Sequence, residues 1–175
     1  LTAANLAVAC AQGGDAVILV DTDLRRPVLH RLLKSEASPG LTNALVGEQT
    51  PSEALHDTTV PGLRLLPTGP LPPNPAELLD SQQMDEVIAQ LSSEADIIIL
   101  DSPPALMLTD AGILASKVDR TIVVAEAGQI TERAFADLMR MFEYARANVL
   151  GVVRGPPGYT RPRSLYYYYS YYDYD

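Results

Sequence analysis

Five short apolar runs punctuate the chain, at 16–20, 63–66, 97–100, 121–124 and 149–153. Four of them are rich in Val and Ile and show no period-two alternation. Runs of this kind suit strands covered on both faces, as in a parallel sheet. Helical periodicity lies between them. Met84, Val87, Ile88 and Leu91 recur at i, i+3, i+4 and i+7, as do Phe135, Leu138, Met139 and Phe142. The stretch 2–12 also reads as a helix. Asn74-Pro75-Ala76-Glu77 combines an N-cap residue, a proline at the first helical position and an acid three residues after the cap. Thr50-Pro51-Ser52-Glu53 repeats that arrangement and predicts a second helix start, with His56 inside the helix. His30 falls in a short helix after Pro27. Strands alternating with helices give an α/β fold: a mostly parallel sheet with helices on both faces, in three layers.

The alternation stops near Val153. Arg154-Gly155-Pro156-Pro157-Gly158 cannot easily continue a strand, and seven of the nine tyrosines fall in the last ten residues. The expected organisation is one domain over 1–155 and a flexible tyrosine-rich tail over 156–175. The chain opens inside a helix and without Met, so the expectation is an incomplete N-terminal side to the domain.

Composition narrows the function classes. The formal net charge of -9 argues against bulk nucleic-acid binding, which requires a basic footprint. A single cysteine, Cys10, allows no internal disulfide and reads as a small core residue. No apolar run approaches the roughly 20 residues of a membrane span.

Candidate chemistry sits where two of the runs end. Val17-Ile18-Leu19-Val20 leads into Asp21-Thr22-Asp23-Leu24-Arg25, and Ile97-Ile98-Ile99-Leu100 leads into Asp101-Ser102-Pro103-Pro104. Ligands of open α/β sheets bind beyond the carboxyl ends of the strands. If the two strands are parallel neighbours, Asp21 and Asp101 share one sheet edge. Carboxylates gathered there suit Mg²⁺, which takes one or two of them together with waters and phosphate oxygens. One could instead serve as a base on an attacking hydroxyl.

These residues resemble those of the bacterial tyrosine kinases, a branch of the deviant-Walker P-loop ATPases. The stretch from Val17 to Pro27 is similar to the family's A-prime motif, and Ile97 to Pro104 to its Walker B. Leu1-Thr2-Ala3-Ala4-Asn5-Leu6-Ala7 resembles the helix that follows the Walker A loop. The segments from Pro39 to Leu45 and from Gly69 to Leu79, and the terminal tyrosine cluster, are also similar to family segments.

The resemblance implies a P-loop NTPase fold whose first strand and glycine-rich Walker A loop lie upstream of Leu1. It implies ATP and Mg²⁺, and transfer of the γ-phosphoryl group to tyrosines on neighbouring subunits of a homo-oligomer. Asp21, Asp23 and Asp101 are the implied catalytic residues. Asp21 would be the base or hold a Mg²⁺-bound water, Asp23 would assist positioning, and Asp101 would hold the Mg²⁺ shell. Arg25 would orient Asp23 or meet phosphate. The acceptors would be Tyr166, Tyr167, Tyr168, Tyr169, Tyr171, Tyr172 and Tyr174. Implied partners are a membrane activator, fused or separate, and a cognate tyrosine phosphatase. The implied setting is the cytoplasmic face of the membrane, and the implied role is control of capsular or exopolysaccharide synthesis and export. Arg154-Gly155 departs from the Leu-Asn that many relatives carry after the last strand. The competing readings are a partition or positioning ATPase of the same fold, which shares the Asp motifs but does not predict seven terminal tyrosines, and a catalytically incomplete regulatory fragment.

Overall fold

Each of the five apolar runs is a strand in the computed structural model, which describes residues 1–128 and 130–155. The described residues form two compact units, Leu1–Val118 and a second that begins at Asp119. The first contains, in order, α1 (Thr2–Gly13), β1 (Val17–Asp21), α2 (Leu29–Leu32), α3 (Leu41–Leu45), β2 (His56–Asp57), β3 (Leu63–Leu66), α4 (Pro75–Asp80), α5 (Gln82–Leu91), β4 (Ile97–Asp101) and α6 (Asp110–Ser116). The second contains β5 (Thr121–Glu126), α7 (Glu132–Tyr144) and β6 (Val149–Gly155).

The sheet of the first unit runs β2-β3-β1-β4. β1 pairs in parallel with β3 on one side and β4 on the other, and β2 is a short antiparallel edge. β1 is central and buried along its whole length, so its side chains serve two cores. Val17 and Leu19 point to one face, where they meet Leu63, Leu65 and the small residues Ala4, Ala7 and Ala11 of α1. Alanines at that spacing bring the helix close to the sheet. Ile18 and Val20 point to the other face, against Leu66 of β3 and Leu41, Leu79, Met84, Val87, Leu91 and Leu114 of α3 to α6. The period-two side-chain alternation of a strand thus places helices on both faces of a mostly parallel sheet. Gly14 closes α1 in the left-handed region at φ 106°, its N–H donating to Ala11 O.

In the second unit β5 and β6 form a two-stranded parallel sheet. α7 is capped by Thr131, whose hydroxyl accepts from Ala134 N, and it buries Leu138 and Phe142. The expectation of burial on both faces holds for β1 and differs elsewhere. β4, bordered by β1 alone among the described strands, is half-buried. Ile122, Val124, Leu150, Val152 and Val153 are exposed.

Two local expectations are corrected. Thr50-Pro51-Ser52-Glu53 does not start a helix. The reciprocal cap forms, with Thr50 N donating to Glu53 Oε2 at 2.8 Å and Glu53 N to Thr50 Oγ1 at 3.3 Å, but it closes a single turn. The chain then enters β2, where His56 pairs with Leu65 and Asp57 with Arg64. His56 is therefore a strand residue, and its Nε2 lies 2.8 Å from Pro39 O. The five residues between Thr50 and His56 leave no room for a second turn before sheet pairing takes over. Elsewhere Pro75 does occupy the first turn of α4 after Asn74, and His30 lies in α2 as expected.

Candidate active site

Asp21 and Asp101 end their strands side by side. The parallel register pairs Val17 with Ile97 and continues residue by residue to Asp21 with Asp101, so both carboxylates leave the sheet at one edge. Thr22 fastens the two strand ends together. Its N–H donates to Asp101 O at 3.0 Å, and its hydroxyl donates to the same oxygen at 2.7 Å. Thr68, just beyond β3, donates its hydroxyl to Asp21 O at 3.2 Å. Asp21, Thr22 and Thr68 are all buried.

The Asp21 carboxylate organises the loop that follows. Oδ2 accepts from Val28 N at 3.1 Å and Leu29 N at 3.0 Å, which fixes the start of α2, and Oδ1 accepts from Asp23 N at 3.3 Å. Asp23 repeats the device one turn on, its Oδ1 accepting from Arg25 N at 3.2 Å and Arg26 N at 2.9 Å. Both are Asx-type turns in which a short carboxylate satisfies backbone donors that no sheet or helix uses. Asp23 is half-buried.

Electrostatics set the two strand-end acids apart from ordinary carboxylates. Burial pushes Asp101 up to about 6. The neighbouring charges of Asp21 and Asp23 add to that shift. Asp21 is also raised, first by burial, against the pull of the Leu29 backbone amide, with the Asp23 charge adding to the rise. The site concentrates negative charge in a partly desolvated edge and holds it at a cost, which a bound cation would relieve. Among the described residues no three His, Cys, Asp or Glu side chains converge to ligate an ion. A pair of strand-end carboxylates suits Mg²⁺, which uses one or two of them and keeps waters. Asp101 and Asp21 are the residues available to hold it.

Arg25 lies in the same loop as Asp23 and reaches across to α6. Its guanidinium forms a bidentate pair with Asp110, Nε to Oδ2 at 2.9 Å and a terminal nitrogen to Oδ1 at 3.2 Å, while its link to Asp23 runs through its backbone N–H. Asp110, fully buried at the first residue of α6, was not legible as a site residue. Nothing local in the sequence ties it to an arginine 85 residues earlier. Thr22 and Thr68 were missed for the same reason: their hydrogen bonds cross between strands that only the register brings together. The tyrosines at 166–169, 171, 172 and 174, together with Arg161 and Arg163, lie outside the described residues.

Proteins of known name are similar in sequence to this chain. The family model described as an AAA domain matches residues 1–150. The chain is 35% identical over 167 residues to the tyrosine-protein kinase YwqD of Bacillus subtilis, a match covering 95% of this chain and 70% of that protein. The chain belongs to the bacterial tyrosine-kinase family. A second member, the putative tyrosine-protein kinase EpsB of Ralstonia nicotianae, is 35% identical over 150 residues, which are 86% of this chain but 20% of that much longer protein. Among solved structures, the kinase domain of the Escherichia coli tyrosine kinase ETK superposes with a TM-score of 0.84 at 28% identity, over 89% of this chain and 61% of that one. The tyrosine-kinase family thus supplies the frame in which the edge formed by Asp21, Asp23 and Asp101 is read. No helix among the described residues is long and apolar enough to cross a membrane.

Proposed function

We propose that this chain is the catalytic part of an ATP-dependent protein-tyrosine kinase that phosphorylates the C-terminal tyrosines of neighbouring copies of itself. The observation that carries the reading is the in-register pairing of Asp21 with Asp101 at the carboxyl edge of the sheet, in a chain that ends in seven closely spaced tyrosines. Similarity to proteins named as tyrosine-protein kinases supports the tyrosine half of the claim. A positioning ATPase would share the acids and leave the tyrosines without a role.

In the transfer step the acceptor tyrosine oxygen bonds to the γ-phosphorus of ATP. The bond from that phosphorus to the β–γ bridging oxygen breaks, ADP leaves, and the phenolic proton passes to a carboxylate. Asp21 is the residue proposed to take it. Its raised pKa suits a base, and its anchoring by three backbone amides holds it in place. Mg²⁺, when bound, neutralises charge on the phosphates. Asp101 would hold its shell, Asp23 would position the metal or acceptor, and Arg25 would act through the loop it braces. Little covalent help is needed, so positioning and charge neutralisation supply most of the rate.

The proposed setting is the cytoplasmic face of the membrane, beside a membrane activator, fused or separate. The proposed output is control of capsular or exopolysaccharide synthesis and export, reset by a tyrosine phosphatase. Each phosphate would add about -1.5 to -2 charge to the tail. Seven would add roughly -10 to -14, enough to loosen an assembly held by tail docking.

The test uses the whole protein, including whatever its gene encodes before Leu1, with ATP and Mg²⁺. Mass spectrometry should place phosphate on Tyr166, Tyr167, Tyr168, Tyr169, Tyr171, Tyr172 or Tyr174, and Asp21→Asn should abolish it. Phosphate confined to Ser or Thr, or ATP hydrolysis with no phosphoprotein, would defeat the reading.

A further inference from the structure

We infer that Asp110 is a positioning residue for the site: through its bidentate pair with Arg25 it locks the loop that carries Asp23 onto the segment that follows Asp101. The pair joins two loops that both begin at the carboxylate edge. One leaves β1 at Asp21, passes Asp23 and Arg25, and enters α2. The other leaves β4 at Asp101 and ends at Asp110, where α6 begins. The Arg25–Asp110 pair, at 2.9 and 3.2 Å, closes the second loop onto the first.

The geometry makes this pair a brace. The Asp110 side chain is fully buried and that of Arg25 is 32% exposed. A buried carboxylate needs its charge met, and the planar guanidinium fork meets both oxygens at once with a fixed orientation. Asp110 also sits in the first turn of α6, where the helix dipole favours an acid. Arg25 is therefore anchored at its tip. Its backbone N–H and that of Arg26 are the two donors that hold the Asp23 carboxylate. The order of dependence is Asp110, Arg25 guanidinium, Arg25 backbone, Asp23 carboxylate. A lysine at 25 keeps the charge and loses the fork, so it would leave the Arg25 backbone free to swing.

The bracing itself rests on geometry alone, and its consequence for phosphoryl transfer rests on the kinase reading. Two measurements on the full-length protein separate them. The first is amide hydrogen exchange at Arg25, Arg26, Val28 and Leu29 in Asp110→Asn and Arg25→Lys, with Leu19 and Leu65 in the sheet as reference. Exchange at the four loop amides should rise at least about 10-fold relative to the sheet amides, as expected where opening is local. Equal acceleration of loop and sheet, or none, would overturn the brace. The second is the Mg²⁺ dependence of phosphorylation. Both variants should need more Mg²⁺ for half-maximal rate and lose about 10- to 100-fold in rate, the range seen when outer-shell partners of a metal site are removed. Unchanged Mg²⁺ dependence in folded, active variants would reduce Asp110 to a stability role and defeat the positioning claim. Loosened loop amides in a protein that transfers no phosphate would leave the brace standing and remove the kinase reading.

Discussion

Asp21 and Asp101 are register partners, the last residues of two adjacent parallel strands, and Thr22 hydrogen-bonds twice to the Asp101 carbonyl. The backbone therefore holds two acids together that would otherwise separate; burial raises both carboxylates, with the Asp23 charge adding at Asp21 and the Asp21 and Asp23 charges adding at Asp101.

The first prediction follows from the sign of that elevation. With its pKa raised from 3.8 to about 6, Asp101 binds a proton more tightly in the folded chain than in the unfolded one. Its favourable contribution is full below 3.8 and is lost as pH rises through about 6. Ionised Asp101 thus destabilises the fold at pH 7–8, by at most about 3 kcal/mol. Partial exposure reduces that figure. Asp101→Asn should match the native protein in urea unfolding near pH 4 and exceed it in midpoint near pH 8. A difference that stays constant with pH would contradict the electrostatic account.

Gly40 offers a steric test of the scaffold beside the site. A Cβ there would stand 2.3 Å from Pro67 O and 2.4 Å from Gly69 N, both backbone atoms. The same contact carries Leu41 N to Pro67 O at 2.7 Å and Thr42 N to Thr68 O at 2.9 Å, and Thr68 in turn holds the Asp21 carbonyl. Gly40→Ala should cost about 2–3 kcal/mol or more, since backbone cannot rotate aside as a side chain does. Thermal unfolding checks it, and a melting temperature within a degree of the native value would show that the two segments part easily.

Much of this scaffold was legible beforehand, and the division has a physical cause. Runs of Val and Ile mark β1, β4, β5 and β6, and a leucine run marks β3, so all five were found near their starts, with the terminal acids of β1 and β4; β6 continues through Arg154 and Gly155, where the sequence suggested an end. β2 was not found: two residues, His56 and Asp57, carry no periodic signal, and they became a strand because β3 offered an unpaired edge. The Thr50–Glu53 cap is chemically real, but a cap specifies only where a helix could begin; the pull of the neighbouring sheet ended it after one turn. At the site, the strand-end carboxylates follow from local sequence, whereas the groups that orient them, Thr22, Thr68 and Asp110, act across contacts between residues far apart in the chain.

Two leucines of opposite exposure predict unequal mutational costs. Leu19 is fully buried between the sheet and α1, whereas Leu71 is 57% exposed in the segment after β3. Leu19→Ala should lose about 2–5 kcal/mol, the transfer term plus the cavity left under a helix whose contact residues are already alanines and cannot fill it. Leu71→Ala should stay within about 0.5 kcal/mol. Urea titrations of the two variants decide it; comparable losses would mean that the segment around Leu71 is covered in solution.

Asp23 separates the chemistry from the fold. It is half-buried, and its carboxylate accepts from the Arg25 and Arg26 amides of the loop, so replacing it removes a turn and not a core contact. Asp23→Asn retains an oxygen that can accept from both amides, and its unfolding midpoint should fall by less than about 1 kcal/mol. Asp23→Ala loses the turn as well and should fall by about 1 kcal/mol more. Under the kinase reading both variants lose tyrosine phosphorylation far out of proportion to these costs, because the missing group is a charge. Phosphorylation by Asp23→Asn at the native rate would assign Asp23 to the loop alone and leave Asp21 and Asp101 as the only acids the reaction uses.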